Sequence, residues 1–351
     1  MGGNTWPDLL TQLVTGRDLD PAEATWAMAE ILRGQASAIQ IAAFAVALRS
    51  KGETIAELSG MADAMLELAT PIELDREAVD VVGTGGDRRN TVNISTMASI
   101  AAAAAGARVV KHGNRAASSA CGTADVLEQL GLVLDLPPAA QQGIMDRVGL
   151  VFLFAAHYHA SLRHAGPVRR ELGISTTFNF LGPMANPARP NAQAVGVADP
   201  RMAGLVAGVL AGRGARGLVF HGGDGLDELT TTTTSKVWVF RDGQVRTTEI
   251  DPRKLDIPRA DLAALVGGTP AVNADILRRT LAGEPGPVAD IVVLNGAAAL
   301  LAFEGPDPAQ PLVEQLQARV DRVRKVLTDG TATSRLEHWV RATQDARSPS
   351  A

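Results

Sequence analysis

Cysteine is almost absent: Cys121 is the single one among 351 residues. No intramolecular disulfide can form, so a reducing, cytoplasmic setting is expected. Aromatic residues are scarce as well, at 4%, with one tyrosine, Tyr158. A stacking platform for single-stranded nucleic acid is therefore not expected. There is no excess of positive charge: Lys plus Arg number 33, Asp plus Glu 38, and the formal net charge is −5. That balance argues against a duplex-binding face and leaves room for a local basic pocket. Long apolar runs are missing too. Residues 91–107 are 17 in a row without charge and rich in alanine. A membrane span needs about 20 apolar residues, so this run reads as a buried helix. The opening Met1-Gly2-Gly3-Asn4-Thr5-Trp6 matches neither a secretion signal nor a myristoylation site. No nucleic-acid or membrane partner is expected.

What is present is ordinary globular material, 46% hydrophobic and 20% charged, with 35 glycines. The first 70 residues read as helices. Asp20-Pro21 forms an N-cap with proline in the first turn, and Ala24, Ala27, Met28, Ile31 and Leu32 follow at helical spacing. Ser37 and Thr54 cap two more helices. At Val79 the texture changes. Strands are expected at 79–82, 108–110, 151–154, 194–197, 218–221 and 236–240, with a hairpin through Asp242-Gly243 into 245–250. Helices are expected at 95–105, 124–130, 139–148, 288–303 and 312–327. Alternating strands and helices predict an α/β unit around a mostly parallel sheet. Residues 167–190 read either as a crossing between two modules or as an irregular loop over a site.

Two strand ends carry residues suited to an anion. Gly83-Thr84-Gly85-Gly86-Asp87 follows the first strand, where glycines let backbone N–H groups converge. A tight strand-to-helix turn is the plainer alternative. The loop is no dinucleotide fingerprint, because Arg88 takes the third glycine position, and no G-K-[ST] follows to make a P-loop. Asn93-Ile94-Ser95-Thr96 opens a helix whose free N–H groups suit phosphate, although Ser or Thr there also serves as an ordinary cap. Lys111-His112-Gly113-Asn114-Arg115 ends the next strand, with Ser118-Ser119 after it. Ligands of α/β sheets bind beyond the carboxyl ends of the strands, so both loops are delivered to one edge. Asp227 and Glu228 follow a later strand. They read as Mg²⁺ carboxylates or as an exposed acidic turn of little weight in stability. His157, His159 and His164 do not match a zinc pattern, and Cys121 has no base partner at a telling spacing.

Taken in order, these motifs are joined by Arg169-Arg170-Glu171-Leu172-Gly173, Phe178-Asn179, Leu181-Gly182-Pro183 and Asp227-Glu228-Leu229. The set resembles the anthranilate phosphoribosyltransferases of tryptophan biosynthesis, over nearly the whole chain. The resemblance implies a small all-helical domain plus a large α/β domain with a mostly parallel central sheet flanked by helices. It implies residues 1–72 with roughly 165–190 as the helical, dimerising domain. Residues 73–164 and 191–351 would form the α/β domain that binds phosphoribosyl pyrophosphate. It further implies a homodimer, Mg²⁺ as cofactor, and transfer of the phosphoribosyl group to the amine of anthranilate. The implied contacts to phosphoribosyl pyrophosphate are Gly83, Gly86, Asp87, Thr91, Asn93, Ile94, Ser95 and Thr96. They continue through Lys111, His112, Gly113, Asn114, Arg115, Ala116, Ala117, Ser118, Ser119 and Thr123. Ser95, Asp227 and Glu228 are the implied metal ligands. Gly83, Asn114 and Arg169 are the implied anthranilate contacts, and Lys111, Asn114 and Arg169 the implied catalytic residues. The chain departs from the usual pattern at Arg88, Cys121, Ala156 and Ala160, none of them an implied metal or anthranilate ligand. Two rivals remain: a pyrimidine nucleoside phosphorylase on the same fold, and a non-catalytic nucleic-acid-binding relative.

Overall fold

The computed structural model describes residues 4–116 and 120–347. Four helices come first: α1 (Trp6–Val14), α2 (Pro21–Leu32), α3 (Ala38–Lys51) and α4 (Ile55–Glu67). The expected caps are in place, each completed as a capping box: Asp20 with Glu23, Ser37 with Gln40, Thr54 with Glu57. The sequence reading did not single out α1. It is short, and it is held by burial of Trp6, Leu9 and Leu13, with the Trp6 ring against Trp26 and Phe44.

The α/β part runs β1 (Val79–Gly83), α5 (Ile94–Ala104), β2 (Val109–Gly113), α6 (Thr123–Gln129), α7 (Pro138–Val148) and β3 (Leu150–Phe154). Then come α8 (Ala155–Tyr158) and α9 (Gly166–Leu172), followed by β4 (Ala192–Gly196), α10 (Pro200–Gly212), β5 (Arg216–Gly222), β6 (Ser235–Arg241) and β7 (Gln244–Ile250). The chain finishes with α11 (Pro270–Leu281), α12 (Pro287–Glu304), α13 (Leu312–Thr328) and α14 (Thr331–Arg347). The fold class is the expected one. Strands β1 to β5 are parallel, and β6 and β7 extend the edge antiparallel, in the order β3-β2-β1-β4-β5-β6-β7. The hairpin turn is Asp242-Gly243, both residues at positive φ, the geometry that two-residue hairpin loops require.

Strand side chains alternate between two apolar clusters. Val79, Val81, Leu218 and Phe220 pack with α5, α12 and α13 on one face. Val82, Val195, Val197 and Val219 pack with α10 and α1–α4 on the other, where Ala165, Val168, Phe178 and Phe180 join them. Helix α12 has 18 residues and is long and apolar enough to cross a membrane, but its run Ile291 to Ala302 is buried between α5, α13 and the sheet.

Strand β2 is longer than the sequence reading placed it. It reaches Gly113 and pairs with β3 throughout, so Lys111 and His112 lie inside the sheet, 1% and 3% exposed. Alternation was hard to see there because a cation and an imidazole occupy core positions. Their companion is Asp80 of β1, fully buried, whose carboxylate accepts from the His112 N–H at 3.0 Å and the Asn186 amide at 2.9 Å. Burial lifts the Asp80 carboxyl to about 6.

Chain order reverses between β1 and β4. From β1 the chain fills one side of the sheet, and from β4 the other. Such a switch leaves a crevice at the carboxyl ends of the two strands. Gly83 and Gly196 are register partners at that point.

Candidate active site

The crevice is floored by two glycines because a loop lies on top of them. A Cβ on Gly196 would sit 1.6 Å from the Asp227 carbonyl oxygen, and one on Gly83 would sit 2.2 Å from an Asp227 carboxylate oxygen. Residues 223–234, between β5 and β6, therefore rest directly on the strand ends. Leu226 and Leu229, both fully buried, plug this loop into the core. The Asp224 carboxylate accepts from the Thr230 and Thr232 hydroxyls at 2.6 and 2.5 Å and from the Leu226 N–H at 3.2 Å. The expectation of an exposed acidic turn is corrected here. Asp227 is 9% exposed, because the flanking leucines pull the turn inward.

The glycine loop is tied to that turn. Thr84 N–H donates to Gly196 C=O at 3.0 Å, and Gly85 N–H donates to the Asp227 carboxylate at 2.7 Å. Arg89 donates to the Asp224 carbonyl at 2.6 Å. Gly85, Gly86, Arg88 and Asn90 all have positive φ. For Arg88 and Asn90 this is an unfavourable backbone region, held by the surrounding contacts, and such strain gathers at ligand-clamping segments.

Across from the turn stands the N-terminus of α5. Asn93 occupies the cap position without capping. Its side-chain amide instead donates to Cys121 C=O at 3.2 Å, and its oxygen accepts from Asn273 of α11 at 2.9 Å. The first-turn N–H groups are held otherwise: Ile94 N–H donates to Val92 C=O at 2.7 Å, Thr96 N–H to Asn93 C=O at 3.1 Å, and Ser95 N–H faces the Glu228 carboxylate. Lys111 Nζ donates to the Ser95 hydroxyl at 3.2 Å and to Val81 C=O. Burial pushes Asp227 up to about 6, with Asp87 beside it adding repulsion. Glu228 is raised by burial and by Asp227, and Asp87 by burial. Burial lowers Lys111 to about 8, opposed by Asp80, Glu228 and Asp227. Three acids around one lysine leave an excess of negative charge that a cation would relieve. Among the described residues no three His, Cys, Asp or Glu side chains form a complete metal cage.

On the far side, Asp125 closes the segment after β2. It accepts from Ala116 N–H at 3.1 Å and Gly122 N–H at 2.9 Å. Arg169 of α9 is half-buried, with its guanidinium 5.9 Å from the Phe178 ring centre. Among the described residues it has no carboxylate within ion-pair distance, and burial lowers its pKa. A desolvated guanidinium without an anion is a ready carboxylate receptor.

The glycosyl transferase family's a/b domain matches residues 75–333, and its helical bundle domain matches 7–69. The anthranilate phosphoribosyltransferase of Nocardioides sp. is 56% identical over 340 residues, covering 97% of this chain and 99% of the relative. That of Acidothermus cellulolyticus is 56% identical, covering 98% and 96%. The crystal structure of the Thermus thermophilus enzyme superposes with a TM-score of 0.88 at 40% identity, covering 96% of this chain and 99% of that one. The chain belongs to the anthranilate phosphoribosyltransferase family. The Saccharomyces cerevisiae enzyme in complex with phosphoribosyl pyrophosphate and Mg, at 24% identity and a TM-score of 0.86, shares the fold.

The residues implied by likeness to anthranilate phosphoribosyltransferases fall into groups. Gly83, Gly86, Asp87, Ser95, Lys111, Asp227 and Glu228 border the crevice. Thr91 is pinned by a bridge to Val266. Ile94 and Thr96 are 1% and 0% exposed, so their side chains belong to the core, and their N–H groups donate to Val92 and Asn93 C=O. His112 stays neutral, held down to about 3 by burial, with its Nδ1 3.3 Å from Gly182 C=O. Gly113 ends β2, and Thr123 begins α6. Asn114 is exposed, and its side-chain oxygen accepts from Arg115 N–H at 2.8 Å. The Arg115 guanidinium pairs with Glu128 at 2.6 Å and Asp125 at 3.0 Å, both on α6. Ala116 contributes its N–H to Asp125, while Ala117, Ser118 and Ser119 lie outside the described residues. Sequence reasoning missed Asp80, Asp125, Gly196, Asn273 and Asn295; it read Asp224 with Asp227 and Glu228 as one acidic turn. Only Asp125 had a local signal, a capping carboxylate three residues after Gly122.

Proposed function

We propose that the chain transfers the phosphoribosyl group of 5-phosphoribosyl 1-pyrophosphate to the amine of anthranilate. The products are N-(5-phosphoribosyl)anthranilate and pyrophosphate. The observation that carries this reading is the docking of the acidic turn on the Gly83–Gly196 floor, where Glu228 faces Ser95 at the start of α5 and Lys111 donates to the Ser95 hydroxyl. The buried excess of carboxylate fits Mg²⁺, which takes one or two carboxylates and completes its shell with water and phosphate oxygens. Asp227, Glu228 and Ser95 would hold it. When bound, Mg²⁺ supplies positive charge beside the leaving pyrophosphate.

The chain's own groups do the rest. As the C1–oxygen bond breaks, negative charge grows on pyrophosphate and positive charge on the ribose ring. Lys111 and the N–H groups of Gly86 and Asp87 stabilise the leaving group electrostatically, those of Thr84, Gly85 and Arg89 being held by Gly196, Asp227 and Asp87. The aniline nitrogen is neutral at pH 7 and forms the C1–N bond directly, releasing a proton. No strong base is needed. Arg169 orients anthranilate by its carboxylate. The test is loss of anthranilate fluorescence on adding phosphoribosyl pyrophosphate with Mg²⁺. Consumption of a pyrimidine nucleoside with phosphate, or tight oligonucleotide binding at physiological salt, would support the rivals instead.

Arg169→Ala should lower kcat/KM for anthranilate about thirtyfold, the cost of losing a charged partner worth ~2 kcal/mol. Affinity for phosphoribosyl pyrophosphate should stay within about twofold, since the pyrophosphate end is held elsewhere. Unchanged anthranilate kinetics would reject the assignment and move the test to Arg170.

A homodimer through the helical domain belongs to the same proposal. Ile39 and Val46, seven residues apart on one face of α3, are 82% and 42% exposed, and Ile55 is 45% exposed. Such a stripe suits a second copy of the chain. Light scattering should give twice the chain mass, and Ile39→Glu with Val46→Glu should give the single mass. A wild-type monomer would contradict it. The division into 1–72 with 165–190, and 73–164 with 191–351, is supported by α9 and residues 177–179 packing on α3, and by the Thr177 hydroxyl donating to Glu53 at 2.7 Å. Hydrogen exchange in which 165–185 opens apart from α1–α4 would count against it. The cytoplasm, where a lone buried thiol stays reduced, is the proposed setting, and recovery with membranes on fractionation would argue otherwise.

A further inference from the structure

The acidic turn is gripped by one side chain that the mechanism does not use. Asn295 lies in α12, 2% exposed, within an otherwise apolar stretch from Ile291 to Ala302. Its side-chain oxygen accepts from Leu229 N–H at 2.9 Å. Its amide nitrogen donates to Leu229 C=O at 2.8 Å and to Ile291 C=O at 2.9 Å. One amide thus pairs with both backbone groups of Leu229, as a neighbouring strand would. Leu229 lies between β5 and β6, outside either ladder, so those groups have no strand partner. A buried amide in an apolar helix is unfavourable unless its hydrogen bonds are satisfied, and here both N–H groups are used.

Leu229 directly follows Glu228. The same helix packs along α5, with Gly296 facing Ala98 C=O, while the close contact that needs a glycine there is with Val323 of α13, 3.1 Å from a Cβ. Helix α5 carries Ser95, whose N–H faces Glu228. The turn and the N-terminus of α5 are therefore both referenced to α12.

We propose that Asn295 is a positioning residue for the reaction: by clamping Leu229 to α12, it sets Asp227 and Glu228 in register with Ser95. This rests on the reading of those three residues as the Mg²⁺ site. Asn295→Asp keeps the acceptor and loses at least one of the two donations. Asn295→Ser shortens the side chain out of reach of Leu229. In both, the Mg²⁺ concentration at half-maximal activity should rise about fivefold, as for one lost buried hydrogen bond. Calorimetric affinity for phosphoribosyl pyrophosphate should weaken about fivefold with Mg²⁺ and stay unchanged in EDTA, with the anthranilate KM unchanged. Leu300→Ala, a cavity in the same helix at a fully buried position, should lower Tm and leave the Mg²⁺ half-point where it was.

If the wild type itself needs no Mg²⁺, the metal reading fails and the proposal with it. If the wild type needs Mg²⁺ and the Asn295 variants keep its half-point and affinities, the proposal alone fails. An equal shift in Leu300→Ala also overturns it, because mere destabilisation would then suffice. Should neither Asn295 variant fold, hydrogen exchange on the wild type decides. A Leu229 amide protected like the middle of α12 supports the clamp, and exchange at the rate of an open loop overturns it.

Discussion

Replacing Asp227 by Asn together with Glu228 by Gln should lower turnover by ~10²-fold or more, the scale of removing a main electrostatic stabiliser. The Mg²⁺ activation curve should move to higher concentration. The same change should not harm the fold at neutral pH when Mg²⁺ is withheld. Asp227 has its carboxyl raised by burial from the ordinary 3.8 to about 6, and Glu228 is raised too. A group with a raised folded pKa gives stability that is complete below its unfolded pKa. That stability is lost as pH rises through the folded value. In EDTA at pH 7.5 the parent carries that penalty in full and the amide variant does not. The variant should therefore melt at or above the parent there, and lose this advantage below about pH 4. The amide oxygen that Asp227→Asn leaves in place can still accept from Gly85 N–H, so the glycine loop keeps its tie. Added Mg²⁺ should raise the Tm of the parent alone. Superimposable Mg²⁺ curves for the two proteins, or a variant several degrees less stable in EDTA at pH 7.5, would contradict the account.

The second large effect is expected at Gly196. A methyl group there would sit 1.6 Å from the Asp227 carbonyl oxygen and 2.3 Å from its carbon, so the backbone of the turn must lift. Gly83→Ala meets the Asp227 carboxylate instead, at 2.2 Å, which a side-chain rotation can relieve in part. Gly196→Ala should therefore be the more damaging of the two. Loss of Mg²⁺-dependent phosphoribosyl pyrophosphate binding should reach ~10²-fold, with a lower Tm from the displaced Leu226 and Leu229. Calorimetry and thermal melts on both variants give the comparison. Wild-type binding by Gly196→Ala would mean that the turn does not depend on the strand-end floor.

Those two positions show what was legible in the sequence and what was not. Helices α2, α3 and α4 were readable because cap, spacing and stop agree, the stop being a glycine after α2 and α3 and Pro71 beyond α4. The parallel strands were readable from short apolar runs rich in valine and phenylalanine. Gly83 was noticed because it sits in a glycine cluster. Gly196, its register partner, stands alone in Ala194-Val195-Gly196-Val197, and only the pairing of β1 with β4 reveals its purpose. Asp227 and Glu228 were visible as chemistry, yet their burial was not. The leucines on either side looked like ordinary loop residues until the loop was seen to fold back over the sheet. Lys111 was read near a strand end, although it lies within β2, because the core partner Asp80 that makes its burial tolerable is 31 residues earlier. Asn273 and Asn295 left no trace. Each is a single polar residue on a helix, and its meaning lies in a backbone group or side chain far away in the chain. Arg115 was readable as a cation after β2, but its pairing with Asp125 and Glu128 of α6 was not.

The central claim is tested most directly by stoichiometry in one reaction. Purified protein is mixed with anthranilate, phosphoribosyl pyrophosphate and Mg²⁺, and anthranilate fluorescence and released pyrophosphate are followed together. The two should change one for one, the product should carry the mass of N-(5-phosphoribosyl)anthranilate, and EDTA should stop both. Pyrophosphate release without anthranilate loss, or no Mg²⁺-dependent change from folded protein, would contradict the claim.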